Sequence, residues 1–517
     1  MTQSSTRSIA ARAATVLLAA ALFLAALAGC GSSSSSSDSG EEMSFTGSGY
    51  PGFDAANTRN PESTIDSSNV GDLELVWKTP IPGVSNFGSY ASTPVIDKGV
   101  VYSQDLASNV QALSLDSGEV LWSATFEQPD EGPNGIVVAD GKVYGATPTE
   151  AFALDQKSGQ QDWSVPLTRN KYEGIDMAPG YEQGIVYVST VPLNVNEFYE
   201  GGGQGVLWAL DGKTGKKLWH FDTVPENLWG NPKVNSGGGL WYPPAFDGKG
   251  SMYFGVGNPA PFPGTSQYPW GSSRPGPNLY ANSLVKLDAK TGKLDWYHQV
   301  TPHDIYDWDF QGPAILLEVD GKEIVAASGK SGIVLAADPK TGKVIWQRAV
   351  GIHNGHDDDG LLAMRGEESK IKAPDTVYPG SLGGVIAPMS TDGSTLFVPV
   401  VNNPARIVSG SEKEEPGPPS GEVLALDAAT GKVKWKQQLS APAFGATTAV
   451  NDLVFATSFE GTVSAFEAKS GQVVWRETLP AGTNTGVMAN GDTLIAPAGV
   501  ASAEGQTPQI VAYRLGG

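Results

Sequence analysis

Three carboxylates stand close together in Thr301-Pro302-His303-Asp304-Ile305-Tyr306-Asp307-Trp308-Asp309. Grouped carboxylates can serve as a base or hold a hard cation, which takes oxygen ligands. They can equally be surface turn chemistry, since Asp side chains bond nearby backbone. A second group is His353-Asn354-Gly355-His356-Asp357-Asp358-Asp359-Gly360. Two imidazoles there could bind a transition ion, but the spacing fits no metal signature, and a solvated connection is the other reading. The stretch Pro259–Asn282 carries Phe262, Tyr268, Trp270 and Tyr280. It could cover a site, receive a carbohydrate or pack on itself. The single cysteine, Cys30, rules out an internal disulfide, a multi-Cys zinc site and the two-Cys haem attachment motif.

Charge narrows the partners. With 34 basic and 55 acidic side chains the chain carries -21. A sequence-independent nucleic-acid binder needs a basic surface to displace counterions, so no nucleic-acid partner is expected. The first residues are an address. Arg7 and Arg12 precede an apolar run, Ala13 to Ala26, then Leu27-Ala28-Gly29-Cys30. The run is short for a membrane span and has the form of a signal-peptide core. Leu-Ala-Gly-Cys resembles the bacterial lipoprotein cleavage signal, in which the cysteine becomes the lipidated first residue. The expected division is a signal over residues 1–29, a lipidated Cys30 with a Ser-rich flexible tether over 30–49, and one folded body over 50–517. The expected location is extracytoplasmic, held to a membrane by lipid.

The elements that must position these residues come from a repeat. Ala209-Leu210-Asp211-Gly212-Lys213-Thr214-Gly215 leads to Trp219, and Ala336-Ala337-Asp338-Pro339-Lys340-Thr341-Gly342 leads to Trp346. Related units end at Trp122, Trp163, Trp296, Trp435 and Trp475. Each reads as a hairpin: an alternating strand, an Asp bonding backbone two residues on, a Gly supplying positive φ, and a return strand. Four short strands per unit predict propeller blades, and the recurring Trp would pack on the next blade. Trp77 has a return strand without a partner, and Ile510–Leu515 is a partner strand without a Trp. Joined, they predict an all-β, eight-bladed β-propeller whose last blade is closed by both termini, which removes two exposed sheet edges. Long loops between units, Pro225–Gly239, Pro259–Asn282, His353–Pro379 and Ser409–Ser420, are where a site would gather.

Several segments add a resemblance. Asn69-Val70-Gly71-Asp72-Leu73, Phe254-Gly255-Val256-Gly257-Asn258-Pro259 and Thr301–Asp307 are similar to segments of the pyrroloquinoline quinone (PQQ)-dependent alcohol and glucose dehydrogenase family. The resemblance covers most of the chain from about Asn57. It implies PQQ and calcium as cofactors. Trp241 would form the floor under the flat quinone. Asn258, Glu200 and Asp307 would hold calcium. Asp307 would take the alcohol proton, and Lys330, in Gly329-Lys330-Ser331-Gly332, would stabilise the developing oxyanion. Phe444 stands where the family has a Trp beside the cofactor.

The departures concern the cofactor's carboxylates. A family Arg becomes Asn134, and a Thr that contacts a cofactor carboxylate becomes Asp176. An Asn becomes Val385 or Ile386, and the family's adjacent cysteines are missing. The expected function is oxidation of a small alcohol or sugar, with electrons leaving to a separate acceptor. Two other readings stay open: a non-catalytic propeller lipoprotein serving as scaffold or binding module, and an enzyme using calcium and a carbohydrate without a quinone.

Overall fold

The computed structural model describes residues 49–193, 201–415, 417 and 419–516. The expected signal, Cys30 and Glu200 lie outside the described residues, as does all of the tether but Gly49.

Among the described residues, eight four-stranded antiparallel sheets form the blades. One is made of Val95–Asp97, Val100–Gln104, Val110–Ser114 and Val120–Ala124. The closing blade pairs Leu73–Pro80 with Gln509–Leu515, and adds Thr493–Ala498 and Met488–Asn490. Trp77 sits opposite Ala512, as Trp122 sits opposite Ala112 and Trp346 opposite Ala336. Both termini therefore complete one blade, as the unmatched strands predicted.

The motif Trp residues join successive blades. Trp296 Nε1 donates to Pro339 O at 3.1 Å, and Trp346 Nε1 to Ala428 O at 2.9 Å. The motif Gly does more than supply a positive φ. At Gly342, φ +70°, a Cβ would lie 2.6 Å from Trp296 Cε3, so the glycine is also the seat of the preceding blade's indole. The same contact joins Gly431 to Trp346 and Gly471 to Trp435. The Asp turn forms as expected, with one bond more. Asp338 Oδ1 accepts from Lys340 N at 2.9 Å, two residues on, and also from Thr341 N at 2.8 Å, and the turn is closed by Gly342 N donating to Asp338 O.

The innermost strands leave edge groups that need partners. A stretch near the N-terminus supplies them. Phe246, Leu316, Thr391 and Ala449, in four different blades, donate backbone N–H groups to Ala55, Ala56, Thr58 and Arg59. The Arg59 side chain, fully buried, donates to Thr447 O at 2.9 Å and Pro51 O at 3.0 Å. The repeat pattern gives this stretch no role. No helix among the described residues is long and apolar enough to cross a membrane.

Candidate functional site

The Asp304–Asp309 turn is buried, which overturns the surface-turn alternative. Asp304 and Asp309 are each 1% exposed. Asp304 shapes the turn: its carboxylate accepts from Tyr306 N at 2.8 Å and Trp308 N at 2.7 Å. Asp307 adopts φ +66°, a left-handed conformation that Asp tolerates better than bulkier residues. That turn brings Asp307 and Asp309 to one cation. Lys330 Nζ lies 2.6 Å from Asp309 Oδ2 and 3.2 Å from Asp307 Oδ2. The same ammonium stands 5.5 Å from the centre of the Trp241 ring. Asn258 enters through its backbone, whose N–H donates to Asp309 Oδ1 at 2.7 Å.

Four predicted residues thus converge: Trp241, Asn258, Asp307 and Lys330. A glycine lets them pack closely. A Cβ on Gly257 would come within 3.0 Å of Asp309 Oδ1 and 3.3 Å of Trp241 Nε1. Phe444 lies apart from this group, against Phe459 with ring centres 5.3 Å apart, and lines the cavity described below. Glu200 belongs to the residues not described.

Burial pushes the Asp307 carboxyl up to about 7; Lys330 opposes this and Asp309 adds to it. Burial lowers the Lys330 pKa, but Asp307 and Asp309 outweigh it and hold the ammonium charged. Lys413 is a second cation whose field reaches Asp307. It donates to Ser381 Oγ, pairs with Glu415 at 2.8 Å, and stands 5.1 Å over the Phe262 ring. Nothing in the repeat signals Lys413, because it lies in an insertion far along the chain.

The insertions roof this turn. Trp270, Leu362, Ile371, Val377 and Ile407 pack with Ile305, Tyr306 and Trp308. Trp308 Nε1 donates to Pro379 O at 3.0 Å. Trp270 N donates to Gly410 O at 2.8 Å, so the aromatic loop packs on neighbouring insertions. The His353–Asp359 loop forms pairs. His353 Nδ1 lies 2.6 Å from Asp357, and His356 Nδ1 lies 2.7 Å from Asp359 at the start of the short helix Asp359–Met364. Tyr306 OH donates to the same Asp359 oxygen at 2.6 Å, linking that loop to the turn. Among the described residues no group of three or more His, Cys, Asp or Glu is arranged to hold a metal ion. Asp307, Asp309 and Asn258 therefore offer only part of a cation's shell.

A small cavity open to solvent lies where the blades converge. Its walls take a residue from just ahead of the innermost strand of every blade, from Thr93 and Asn134 to Ala446 and Gly486. Arg59, Tyr242 and Phe444 also line it. Tyr242 follows Trp241 and feels the charges of Arg59, Asp176 and Lys330, so the cavity and the Lys330 cluster are neighbours. Asn134 directs Nδ2 to Asp105 O at 2.7 Å, leaving Oδ1 without a partner. Val385 is buried in an apolar cluster, and Ile386 presents its carbonyl to Tyr242 OH at 3.3 Å.

Comparison with known proteins agrees with this architecture. Residues 178–350 match the family described as glucose/ethanol/alcohol dehydrogenase, beta-propeller domain. Residues 69–164, 106–236 and 380–516 match repeats of the family described as outer membrane protein assembly factor BamB. The chain is 30% identical over 385 residues to the dehydrogenase subunit of alcohol dehydrogenase (quinone) from Gluconobacter oxydans, covering 63% of this chain and 48% of that one. It is 28% identical over 520 residues to quinohemoprotein alcohol dehydrogenase from Comamonas testosteroni, covering 86% and 70%. The chain thus spans about half the length of the first relative and 70% of the second. The solved structure of quinohemoprotein alcohol dehydrogenase ADHIIG from Pseudomonas putida HK5 superposes with a TM-score of 0.78 at 22% identity, covering 90% of this chain and 80% of that one.

Proposed function

The chain belongs to the PQQ-dependent alcohol dehydrogenase family of β-propellers, and on that premise we propose that it oxidises a small alcohol or sugar using PQQ and a bound cation. The observation that supports this most is the convergence of Asp307, Asp309 and Lys330 beside Trp241. These residues suit the group. Trp241 offers a flat face for a planar ring, and Lys330 sets a cation beside it. PQQ, when bound, supplies the carbonyl system that accepts a hydride.

The chain's own residues then have separable tasks. Asp307 is the base for the alcohol proton, and its partner Lys330 and a bound cation both favour the ionised form that accepts it. Lys330 is a fixed positive charge, held protonated by its two carboxylates, that stabilises negative charge on a nearby oxygen. Asp307 and the Asn258 side chain would hold the cation, and Glu200 is the proposed third ligand. Calcium suits these hard oxygens. A trivalent ion is the second reading, favoured by Asp309, which sets another carboxylate beside Asp307. The insertions over the Asp304–Asp309 turn limit water at the site. A separate acceptor takes the electrons. The proposed setting is the extracytoplasmic face of a membrane, with lipid on Cys30.

The test is a titration of the purified protein with PQQ in calcium, in a trivalent lanthanide, and in chelator. Quinone absorbance and Trp fluorescence are followed, and dye-linked alcohol oxidation comes next. Saturable metal-dependent quenching and turnover are expected. Asp307→Asn should lose turnover while still binding PQQ. A protein that binds no PQQ under any of these conditions would instead be a binding module or scaffold.

A further inference from the structure

The His353–Asp359 loop belongs to no repeat and takes no part in the Lys330 cluster, yet its connection grips the turn that carries Asp307. A Cβ on Gly360 would overlap His303 O, so the helix Asp359–Met364 sits directly on the segment leading into the turn. Tyr306, the residue before Asp307, is held at both ends. Its OH donates to Asp359 Oδ2 at 2.6 Å, and its carbonyl accepts from Ser381 Oγ, later in the same connection, at 3.3 Å. His356 stands behind Asp359. Its Nδ1 lies 2.7 Å from the same Asp359 oxygen, and its Nε2 lies 3.4 Å from Asp375 Oδ2. Tyr306, His356 and Asp359 are all buried, whereas the Asp375 side chain is 42% exposed. The contacts thus run from solvent at Asp375 to the residue beside the proposed base.

Both imidazole nitrogens of His356 face carboxylate oxygens. A neutral imidazole donates from one nitrogen only, while an imidazolium donates from both. A charged His356 also answers the buried charge of Asp359, which would otherwise be costly. We propose that His356, as an imidazolium, and Asp359 are positioning residues: through Tyr306 they hold the turn in the shape that aims Asp307, and they release it when the imidazole loses its proton. This rests on the reading of Asp307 as the catalytic base. The Asp359 hydrogen bond raises His356 above its ordinary value, burial opposes this, and the charges of Asp359 and Asp375 add to the rise. The hold is therefore complete at low pH and is lost as pH rises through that raised value. Other charged groups around this connection have their own partners. His353 engages Asp357, which also feels His356, at 2.6 Å. Arg406, on the strand paired with Asp375–Val377, lies 3.7 Å from Glu414. Lys370 pairs with Glu367 at 2.8 Å, and the field of Glu368 reaches His303.

The experiment follows two readouts from about pH 5.5 to about 9. One is hydrogen-exchange protection of the turn peptide in the cofactor-free protein, and the other is kcat of the protein loaded with PQQ and metal. Wild type, Asp375→Asn and Tyr306→Phe are compared, and circular dichroism checks that each is folded. The His356 midpoint is read by NMR on histidine-labelled protein, which has five imidazoles. In Asp375→Asn that midpoint should fall, because one raising charge is gone. The pH at which the turn loosens and kcat declines should fall by the same amount, with activity on the acid side equal to wild type's. Asp307 titrates alike in these two proteins, so their difference reads His356. Tyr306→Phe should exchange about tenfold faster at the turn and lose about tenfold or more in kcat, while its PQQ affinity stays within about twofold. Coincident exchange and kcat profiles in wild type and Asp375→Asn would overturn the proposal, as would an unmoved His356 midpoint or a Tyr306→Phe protein with wild-type exchange and kcat. If loaded wild type oxidises no alcohol at any pH, the reading of Asp307 as base fails, and the exchange profiles alone decide whether His356 holds the turn.

Discussion

Asp309→Ala tests the buried ion pair on which the site depends. Lys330 and Asp309 have side chains 8% and 1% exposed, and their charged atoms are 2.6 Å apart. At about 3 Å and an effective dielectric near 20, two unit charges attract by about 5 kcal/mol, much of it offset by desolvation. Removing one partner of a buried pair costs about 3–5 kcal/mol, because the other charge stays buried. Here Asp307 remains at 3.2 Å and retains part of that. The Asn258 N–H loses its acceptor, a charge-assisted bond worth about 1.5–3 kcal/mol. The expected loss is about 2–4 kcal/mol for Asp309→Ala. Asp309→Asn, which can still accept from Asn258, should lose less, about 1–2 kcal/mol. Urea unfolding at pH 7 without cofactor reads both, provided the m-values agree. An Asp309→Ala protein within about 0.5 kcal/mol of wild type would refute the argument, since that is the scale of an ordinary surface change.

Gly342→Ala should cost more than Gly141→Ala. Both have positive φ, +70° and +75°, but only Gly342 faces a Trp ring, while Gly141 opens onto space. The backbone penalty alone is about 1–2 kcal/mol, and displacement of Trp296 should add to it; equal melting shifts would remove the glycine seat. Asp54→Asn should change the pH dependence of stability. Burial raises the Asp54 carboxyl to about 6 from 3.8, so the folded protein binds its proton more tightly, and stability is lost as pH rises between these values. The loss is about 3 kcal/mol. The Asn variant should lack that decline and be more stable at pH 7; parallel curves for the two proteins would contradict the assignment.

Much of the architecture is written in local sequence. Each hairpin is closed by contacts a few residues apart, so the Asp, the Gly and the Trp announce it wherever they occur. The unmatched Trp77 and Ile510–Leu515 even fix how the ring closes. Asp307 and Lys330 are legible because each lies in a recognisable segment. What lies on the axis is not legible, because it depends on how eight blades close into a ring. Asp309 and Lys330 meet within a single blade, where Lys330 N also donates to Asp309 O, but only the tertiary structure brings Lys413 from an insertion to the site. It also gathers Asp130, Glu131, Asp176 and Asp309 into one field, although they are separated by up to three blades of chain. The stretch around Asn57 and Arg59 gives no repeat signal, since its partners are the inner edges of blades that exist only once the ring has formed. The repeat determined the frame, and burial at its centre decided the chemistry, because charges confined there meet few other groups and little water.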